Sequence, residues 1–573
     1  MTRYLNRALL ESEIPGAADL TPDQNRDSDP LFAYHEATKH SYVSVRSSAH
    51  FIDWRNQPDP FRVYHGAPVI PLGPPRPLPE AGTFATISGL ARPRTMAAPM
   101  ESGPVPPACG ELAEPITLPL LNALLHHSMA ISAWKQVPET NFRYSLRVNP
   151  SSGNLHPTET HLVVGARPGK IREIGELEEG IYHYRVLDHT LERRSRGPWA
   201  AKLADICGIE WLAGAPLIVV LTSIFWREAW KYRDRAYRYC CHDLGHAAMS
   251  LLCAARALGL EGIWLSHFPD LELARALGLE FSDEAPMAVL AFGLEPHSSG
   301  ALPRFQRAEE FVEPPGGIAN QLSDEEVPYY LLLGMHRSTL LPQGEPLPAP
   351  PALSPAAPSP DSLSLSETPS RDLPLGMIVR RRRSALDFDP TTQPTEVADL
   401  GAILRHATAD FRADFRGNLF GEKGSGLVQL YLYVHRVRGI LSGVYRYHAV
   451  EPAAAGLEPM HLGDVQRAAA YLSLEQPLAG HACVAFSLVA DLEAAARAFG
   501  NRGYRYVHFE AGAIGQRLYL GAEATGWNST GIGAFYDDDV HRFLNLTPSE
   551  GQVIYHFAIG RAVPDPRLTV PES

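Results

Sequence analysis

Two stretches of this chain repeat each other in order and residue type, and that repeat limits the fold more than any other feature. Arg235-Ala-Tyr-Arg-Tyr239 opens a run that ends at Leu258-Gly259-Leu260, and Arg502-Gly-Tyr-Arg-Tyr506 opens one that ends at Ala524-Thr525-Gly526. Apolar or small residues recur at three and four spacing through both, and a glycine closes each, so each predicts a long helix. Upstream lie paired strand-like runs, Thr160–Val164 with Glu179–Tyr184 in the first half and Leu430–Val434 with Ser442–Tyr447 in the second. A unit of strand, turn, strand and long helix therefore occurs twice. The class is α+β, with helices around a short antiparallel sheet in each half.

A chain of 573 residues exceeds what one hydrophobic core supports, so two domains are expected. Residues Leu341 to Asp372 are rich in Pro, Ala and Ser and lack aromatics, which predicts an extended linker. The division that follows is an N-terminal extension over 1–110, a first domain over 111–340, the linker over 341–372 and a second domain over 373–573. A Pro-rich stretch from Ala67 to Ala81 reads as a surface arm within the extension. The net charge of -13 opposes a nucleic-acid partner. Six cysteines with no C-x-x-C supply neither a disulfide framework nor a zinc knuckle, and a reducing cytoplasm is expected. Met1 to Leu20 has the pattern of no secretory signal, and no stretch reaches the roughly 18 apolar residues of a membrane span.

Four segments carry chemistry. Arg380-Arg381-Arg382-Arg383-Ser384 offers guanidinium forks beside a hydroxyl, which suits a terminal phosphate; a solvated basic patch is the plainer reading. Asn149-Pro150-Ser151-Ser152-Gly153-Asn154-Leu155-His156-Pro157 is a loop of small residues whose amides can approach a planar polar ring, or simply a turn and cap. Thr530-Gly531-Ile532-Gly533 exposes backbone N–H groups, a weak signal by itself. Lys231-Tyr232 forms a potential acid/base pair, although most such neighbours are surface residues. His242 and His246 stand four apart, but no third ligand is evident and a core role is favoured over a metal site. No Walker loop, G-x-G-x-x-G or G-x-S-x-G is found, so the common nucleotide and hydrolase classes lack their residues.

Taken together, Tyr34-His-Glu-Ala-Thr-Lys39, Asn149 to Glu159, Gly180-Ile-Tyr-His-Tyr184 and Lys231-Tyr232 through Gly245 resemble the SagB-type (ThcOx-type) dehydrogenases of the nitroreductase superfamily. The second half is similar to the superfamily more generally, through Arg382-Arg383-Ser384 and Glu510 to Phe535. The resemblance implies a dimeric fold with FMN at the interface. It implies that Arg382, Arg383 and Ser384 grip the phosphate, that Gly531, Ile532 and Gly533 border the flavin, and that Pro150, Ser151, Ser152, Gly153 and Asn154 come from the partner. Lys231 and Tyr232 would be catalytic, as the Lys-Tyr pair is in the members that oxidise azolines in peptides to azoles. The family's second arginine is here Leu386; Arg380, Arg381 or a residue elsewhere, Arg304 and Arg307 included, would have to replace it.

The parts are divided unequally. The first half has the Pro-Ser-Ser loop and Lys231-Tyr232 but no Arg-Arg-Ser before Leu118 to Leu125. The second has Arg382-Arg383-Ser384 and Gly531-Ile-Gly533, but Gly424-Ser425-Gly426 stands in place of the loop and Ala498-Phe499 in place of Lys-Tyr. An intramolecular pseudo-dimer with one complete site, and hence one FMN per chain, is expected. In the expected chemistry hydride passes to flavin N5 while Tyr232 or Lys231 removes a proton, from a small-molecule or modified-peptide substrate and alongside other peptide-modifying enzymes. The alternatives are an NAD(P)H-dependent nitroreductase or enone reductase and a non-catalytic flavin-binding scaffold.

Overall fold

The computed structural model describes residues 22–91, 116–140, 142–165, 177–293, 312–351, 359, 361–365, 368–419, 423–449 and 455–569. Arg304 and Arg307 lie outside them. Each half is built on a seven-stranded sheet whose neighbours are all antiparallel. In the first half the strands are β1 (Val69–Pro71), β2 (Thr158–Val164), β3 (Gly180–Arg185), β4 (Thr190–Arg196), β5 (Leu217–Ser223), β6 (Gly262–Leu265) and β7 (Ala285–Phe292), in the order β1-β4-β3-β2-β5-β7-β6. In the second they are β8 (Leu363–Ser364), β9 (Val428–Val434), β10 (Gly443–His448), β11 (Gly456–Leu462), β12 (Val484–Ala490), β13 (Asn528–Ile532) and β14 (Gln552–Gly560). Their order, β8-β11-β10-β9-β12-β14-β13, is the same.

These sheets are wider than the short ones that the sequence pattern suggests, for a physical reason. One edge of each comes from a Pro-rich segment, β1 from the arm and β8 from the linker. An edge strand bonds on one side only, so it tolerates proline and carries no alternating apolar signal. The arm is accordingly bound into the first half. Asn122 Nδ2 donates to the carbonyls of Leu72 and Gly73, each at 2.9 Å, and Leu72 and Leu78 are buried.

The halves meet along two 22-residue helices, α3 (Ala236–Ala257) and α5 (Gly503–Ala524). They cross at Gly245 and Gly512, where a Cβ on either glycine would collide with a backbone carbonyl of the other helix, that of Phe509 or His242. Residues 267 apart play matching roles throughout. Arg235 and Arg238 hold Asp537 of the second half at 3.1 and 2.9 Å, and Arg502 and Arg505 hold Asp270 of the first at 2.6 and 2.8 Å. All six side chains are buried. The interface is thus two-fold in kind, the same residues contacting each other in both directions.

Helix α1 (Asp29–Ala37) straps this junction. The His35 carbonyl accepts from Arg238 at 2.7 Å, the Leu31 amide donates to Asn501 Oδ1 at 3.1 Å and the His40 amide donates to Asp537 at 2.8 Å. The motif Tyr34 to Lys39 therefore bridges the two halves. Among the described residues no helix is long and apolar enough to cross a membrane.

Candidate functional site

The site grows from a corner. Strand β5 feeds α2 (Phe225–Tyr232), and Arg233, at φ +53°, turns the chain into α3. The second half makes the same corner after α4 (Leu492–Phe499) with Gly500 at φ +62°. A left-handed conformation is free for glycine and costs an L residue about 1 kcal/mol, so the first half holds this corner against strain. The corner lays the Tyr232 ring edge-on to Tyr239, centroids 4.7 Å apart, with Lys231 Nζ 5.2 Å from the Tyr232 ring centre.

The Ser-rich loop packs against this pair. Gly153 has φ +58°, and a Cβ there would stand 2.5 Å from Tyr232 Oη and 3.1 Å from Lys231 Nζ. Ser151 Oγ donates to Asp243 at 2.6 Å, and the Ser152 amide and hydroxyl donate to the same carboxylate at 2.9 Å. Pro150 is buried. Asn154 serves the loop itself, donating to the Ser145 carbonyl and meeting His156 Nε2.

The second half supplies the facing wall. Gly533 touches Tyr239: its carbonyl accepts from the Tyr239 hydroxyl at 3.1 Å. The Gly531 amide donates to Tyr519 Oη at 2.8 Å, Ser384 Oγ meets the same oxygen at 2.8 Å, and the Arg382 guanidinium lies 4.8 Å from the Tyr519 ring centre. Ile532 is buried in β13, paired with His556. Arg382 also reaches the first half, donating to the Val148 carbonyl at 3.1 Å. Arg383 is turned away onto Ser132, bonding its hydroxyl at 3.2 Å and its carbonyl at 3.0 Å. The structure thus gathers Lys231, Tyr232, Ser151, Ser152, Gly153, Gly531, Gly533, Arg382 and Ser384 around Tyr239 and Tyr519, and leaves Asn154 and Arg383 engaged elsewhere.

Several members went unread in the sequence: Glu228, Asp243, Tyr239, Gln516, Tyr519 and Tyr555. Tyr555 stacks on His242, centroids 4.3 Å apart, and its hydroxyl meets His246 Nε2 at 3.1 Å. The pair His242 and His246 therefore lines this junction. Burial lowers His246 to about 3, so it is neutral. Burial pushes the Asp243 carboxyl up to about 6 against its serine donors. Burial and then the neighbouring Asp243 charge push Glu228 well above the usual carboxylate range. Burial, followed by Glu228, raises the Tyr232 phenol. An acid on a helix face otherwise made of Phe225, Trp226, Ala229 and Trp230, all buried, is the signal that could have marked Glu228.

At the mate of this site several equivalents are apolar, although Glu510 stands in the place of Asp243 and pairs with Arg416 at 2.7 Å. Trp264 pairs with Leu290 in β6 and β7 as Gly531 pairs with Phe557 in β13 and β14. Its indole is fully buried and packs against Phe411, Phe415 and Phe509 at centroid distances of 5.8, 5.4 and 5.8 Å. Lys231 and Tyr232 correspond to Ala498 and Phe499 at the end of α4. These border a half-open cavity of about 580 Å³ that the linker residues Glu345–Pro348 also line.

The nitroreductase family model matches residues 112–294 and again 379–561. The chain belongs to the nitroreductase family. Each half is one nitroreductase domain, and the pair forms the internal pseudo-dimer. A crystal structure of an Anabaena variabilis protein assigned to the nitroreductases superposes with a TM-score of 0.69 at 24% identity, over 93% of this chain and 99% of that one, which establishes the same two-domain fold. The trifolitoxin-processing protein TfxB of Rhizobium leguminosarum is 27% identical over 193 residues, 33% of this chain and 49% of that protein. The microcin B17-processing protein McbC of Escherichia coli is 27% identical over 149 residues, 26% of this chain and 54% of that protein. The matched parts span about half the length of these two relatives.

Nitroreductases as a family use FMN, and the residues here fit such a group. Arg382 Nη1, Gln516 Nε2, Ser529 Oγ and both His242 nitrogens are buried without a hydrogen-bond partner. Buried polar atoms are seldom left unpaired, and this set of donors beside aromatic rings suits an anionic phosphate and a polar planar ring.

Proposed function

We propose that this nitroreductase is an FMN-dependent dehydrogenase that oxidises a peptide-derived heterocycle, azoline to azole, at a single site where its halves meet. The observation that carries the reading is the packing of Lys231 and Tyr232 between Gly153 of one half and, through Tyr239, Gly533 of the other. Likeness to two proteins named for processing peptides, TfxB and McbC, supports the choice of substrate. Other peptide-modifying enzymes are the partners this reading expects, and a reducing cytoplasm its setting.

Bound FMN would supply the two-electron acceptor. Arg382 and Ser384 would hold its phosphate, with Arg383 supporting the turn from Ser132. Ser151, Ser152, Gly153 and the Gly531–Gly533 segment would border the ring. Conversion of azoline to azole removes one hydride and one proton from the substrate. Tyr232, raised by burial, keeps its proton at neutral pH and so orients substrate as a hydrogen-bond donor. Lys231 takes the proton, a role that requires its amine form. The buried walls exclude water, which strengthens both interactions. The mate carries no such set: Trp264, Phe411 and Phe415 fill the space beside α5, and Ala498-Phe499 can move no proton. One FMN per chain follows.

The test is direct. Flavin per chain is measured on the purified protein, and flavin bleaching is followed without oxygen on adding an azoline peptide or NADPH. One FMN per chain and bleaching by the azoline peptide are expected. Lys231→Ala with Tyr232→Phe should keep the flavin and abolish oxidation; oxidation at the parental rate would refute the assigned roles. Rapid bleaching by NADPH alone would favour an NAD(P)H-dependent reductase, and a flavin-loaded protein that neither compound bleaches would favour a non-catalytic scaffold.

A further inference from the structure

Two acids lie beneath Lys231 that the reaction above does not use. Glu228 precedes Lys231 by three residues on α2, so both occupy one helix face. Asp243 follows Tyr239 by one turn on α3. Both carboxyls are buried, at 0% and 3% exposure, so each would need a cation or a set of donors to ionise. Asp243 has the donors: the Ser151 hydroxyl and the Ser152 amide and hydroxyl. Neither Glu228 oxygen completes a hydrogen bond, although Asp243 and Ser151 lie alongside.

Two adjacent carboxyls in such a place share one proton rather than both ionising. The donors decide where the charge sits, because one amide and two hydroxyls complete hydrogen bonds to Asp243 and no donor completes one to Glu228. The groups facing the pair are Lys231 and Tyr232 from α2, Cys240 from α3 and Tyr555 from β14. Of these only Lys231 can carry a positive charge. The next residue after the latched serines is Gly153, the one in contact with Tyr232 Oη and Lys231 Nζ.

We propose that Glu228 and Asp243 act as one positioning unit for the Lys231–Tyr232 element, with a single proton on Glu228 while the Asp243 carboxylate latches the Ser151–Ser152 loop beneath it. A neutral Glu228 sets no negative charge beneath Lys231 that would hold it as an ammonium, and an ionised Asp243 keeps Gly153 pressed against the pair. Protonation of Asp243 replaces a carboxylate acceptor by a weaker neutral one and slackens the latch. The catalytic consequence rests on the proposed function; the shared proton does not.

Infrared spectroscopy of the full chain, without substrate, reads the proton directly through the carbonyl stretch of a neutral carboxylic acid. At neutral pH the parent should show such a band that Glu228→Gln removes. As pH falls through about 6, where Asp243 titrates, a further band should grow that is diminished in Asp243→Asn. Asp414, also raised by burial to about 6, accounts for what remains. Persistence of the neutral-pH band in Glu228→Gln, or an unchanged acid titration in Asp243→Asn, would overturn the proposal. In the flavin-loaded protein, kcat/KM should fall below pH about 6 in the parent, and Asp243→Asn should lower kcat and lose its share of that limb. If the bands behave as stated and no azoline is oxidised, the proton pair stands and the functional reading falls.

Discussion

Gly153 has little room for change. Its backbone is left-handed at φ +58°, and its missing side chain is the space that Tyr232 Oη and Lys231 Nζ occupy. Gly153→Ala should therefore cost about 1 kcal/mol in backbone strain and displace Lys231 and Tyr232. A small fall in the unfolding midpoint with at least a tenfold loss of kcat is the expected outcome; parental kcat would show that the loop does not position the pair. Lys231 and Tyr232 were legible because they are adjacent and sit beside a long repeat helix. Glu228 and Asp243 were not, because an acid in a sequence looks the same whether water or a serine loop surrounds it. Tyr519 and Tyr555 were hidden for a related reason: they lie 287 and 323 residues beyond Tyr232 and reach the site only when α5 and β14 are packed against α3.

At the level of elements, the crossing of α3 and α5 depends on Gly245 and Gly512. An added methyl meets a carbonyl oxygen of the facing helix, so the helices must separate. Overpacking of this kind costs typically about 1–3 kcal/mol. Gly245→Ala and Gly512→Ala should each lower the denaturant midpoint accordingly. Gly334 lies in the helix Tyr330–Ser338 with nothing within 4 Å of an added Cβ. Gly334→Ala should instead stabilise, by about 0.5–1 kcal/mol. Equal effects at all three positions would refute close packing as the cause. The long helices were readable from periodicity, whereas β1 and β8 were not, since Pro-rich edge strands follow no alternation.

For the whole molecule, the halves are joined by two clusters related by the pseudo-two-fold, Arg235 and Arg238 on Asp537 and Arg502 and Arg505 on Asp270. Burial opposes ionisation of Asp537, but the two arginines outweigh it and hold its carboxyl below the usual range. Removing one partner of such a buried group strands the others, at about 3–5 kcal/mol. Asp537→Asn should lower the unfolding free energy by that amount at neutral pH; a change within experimental error would refute the bracing role. The pH dependence carries a second sign. Asp243 and Asp414, both raised to about 6, bind an extra proton when folded, so their contribution is present below pH about 4 and is lost as pH rises through about 6. Each is worth up to about 3 kcal/mol by the size of the shift. Buried neutral histidines such as His246 act with the opposite sign, so the reading is a difference: the thermal midpoint of the parent relative to Asp243→Asn should rise on acidification from pH 7 to 4. From its sequence alone the chain declares two related halves, their long helices, and the unequal sharing of Ser-rich loop, Lys-Tyr pair and Arg-Arg-Ser between them, because these are local patterns of residue type and order. Packing alone decided that Trp264 and two phenylalanines fill the mate of the site, that Arg383 turns away from it, and that a proton-sharing acid pair lies under Lys231. Burial and the approach of distant segments set those outcomes, and neither is written in any local pattern.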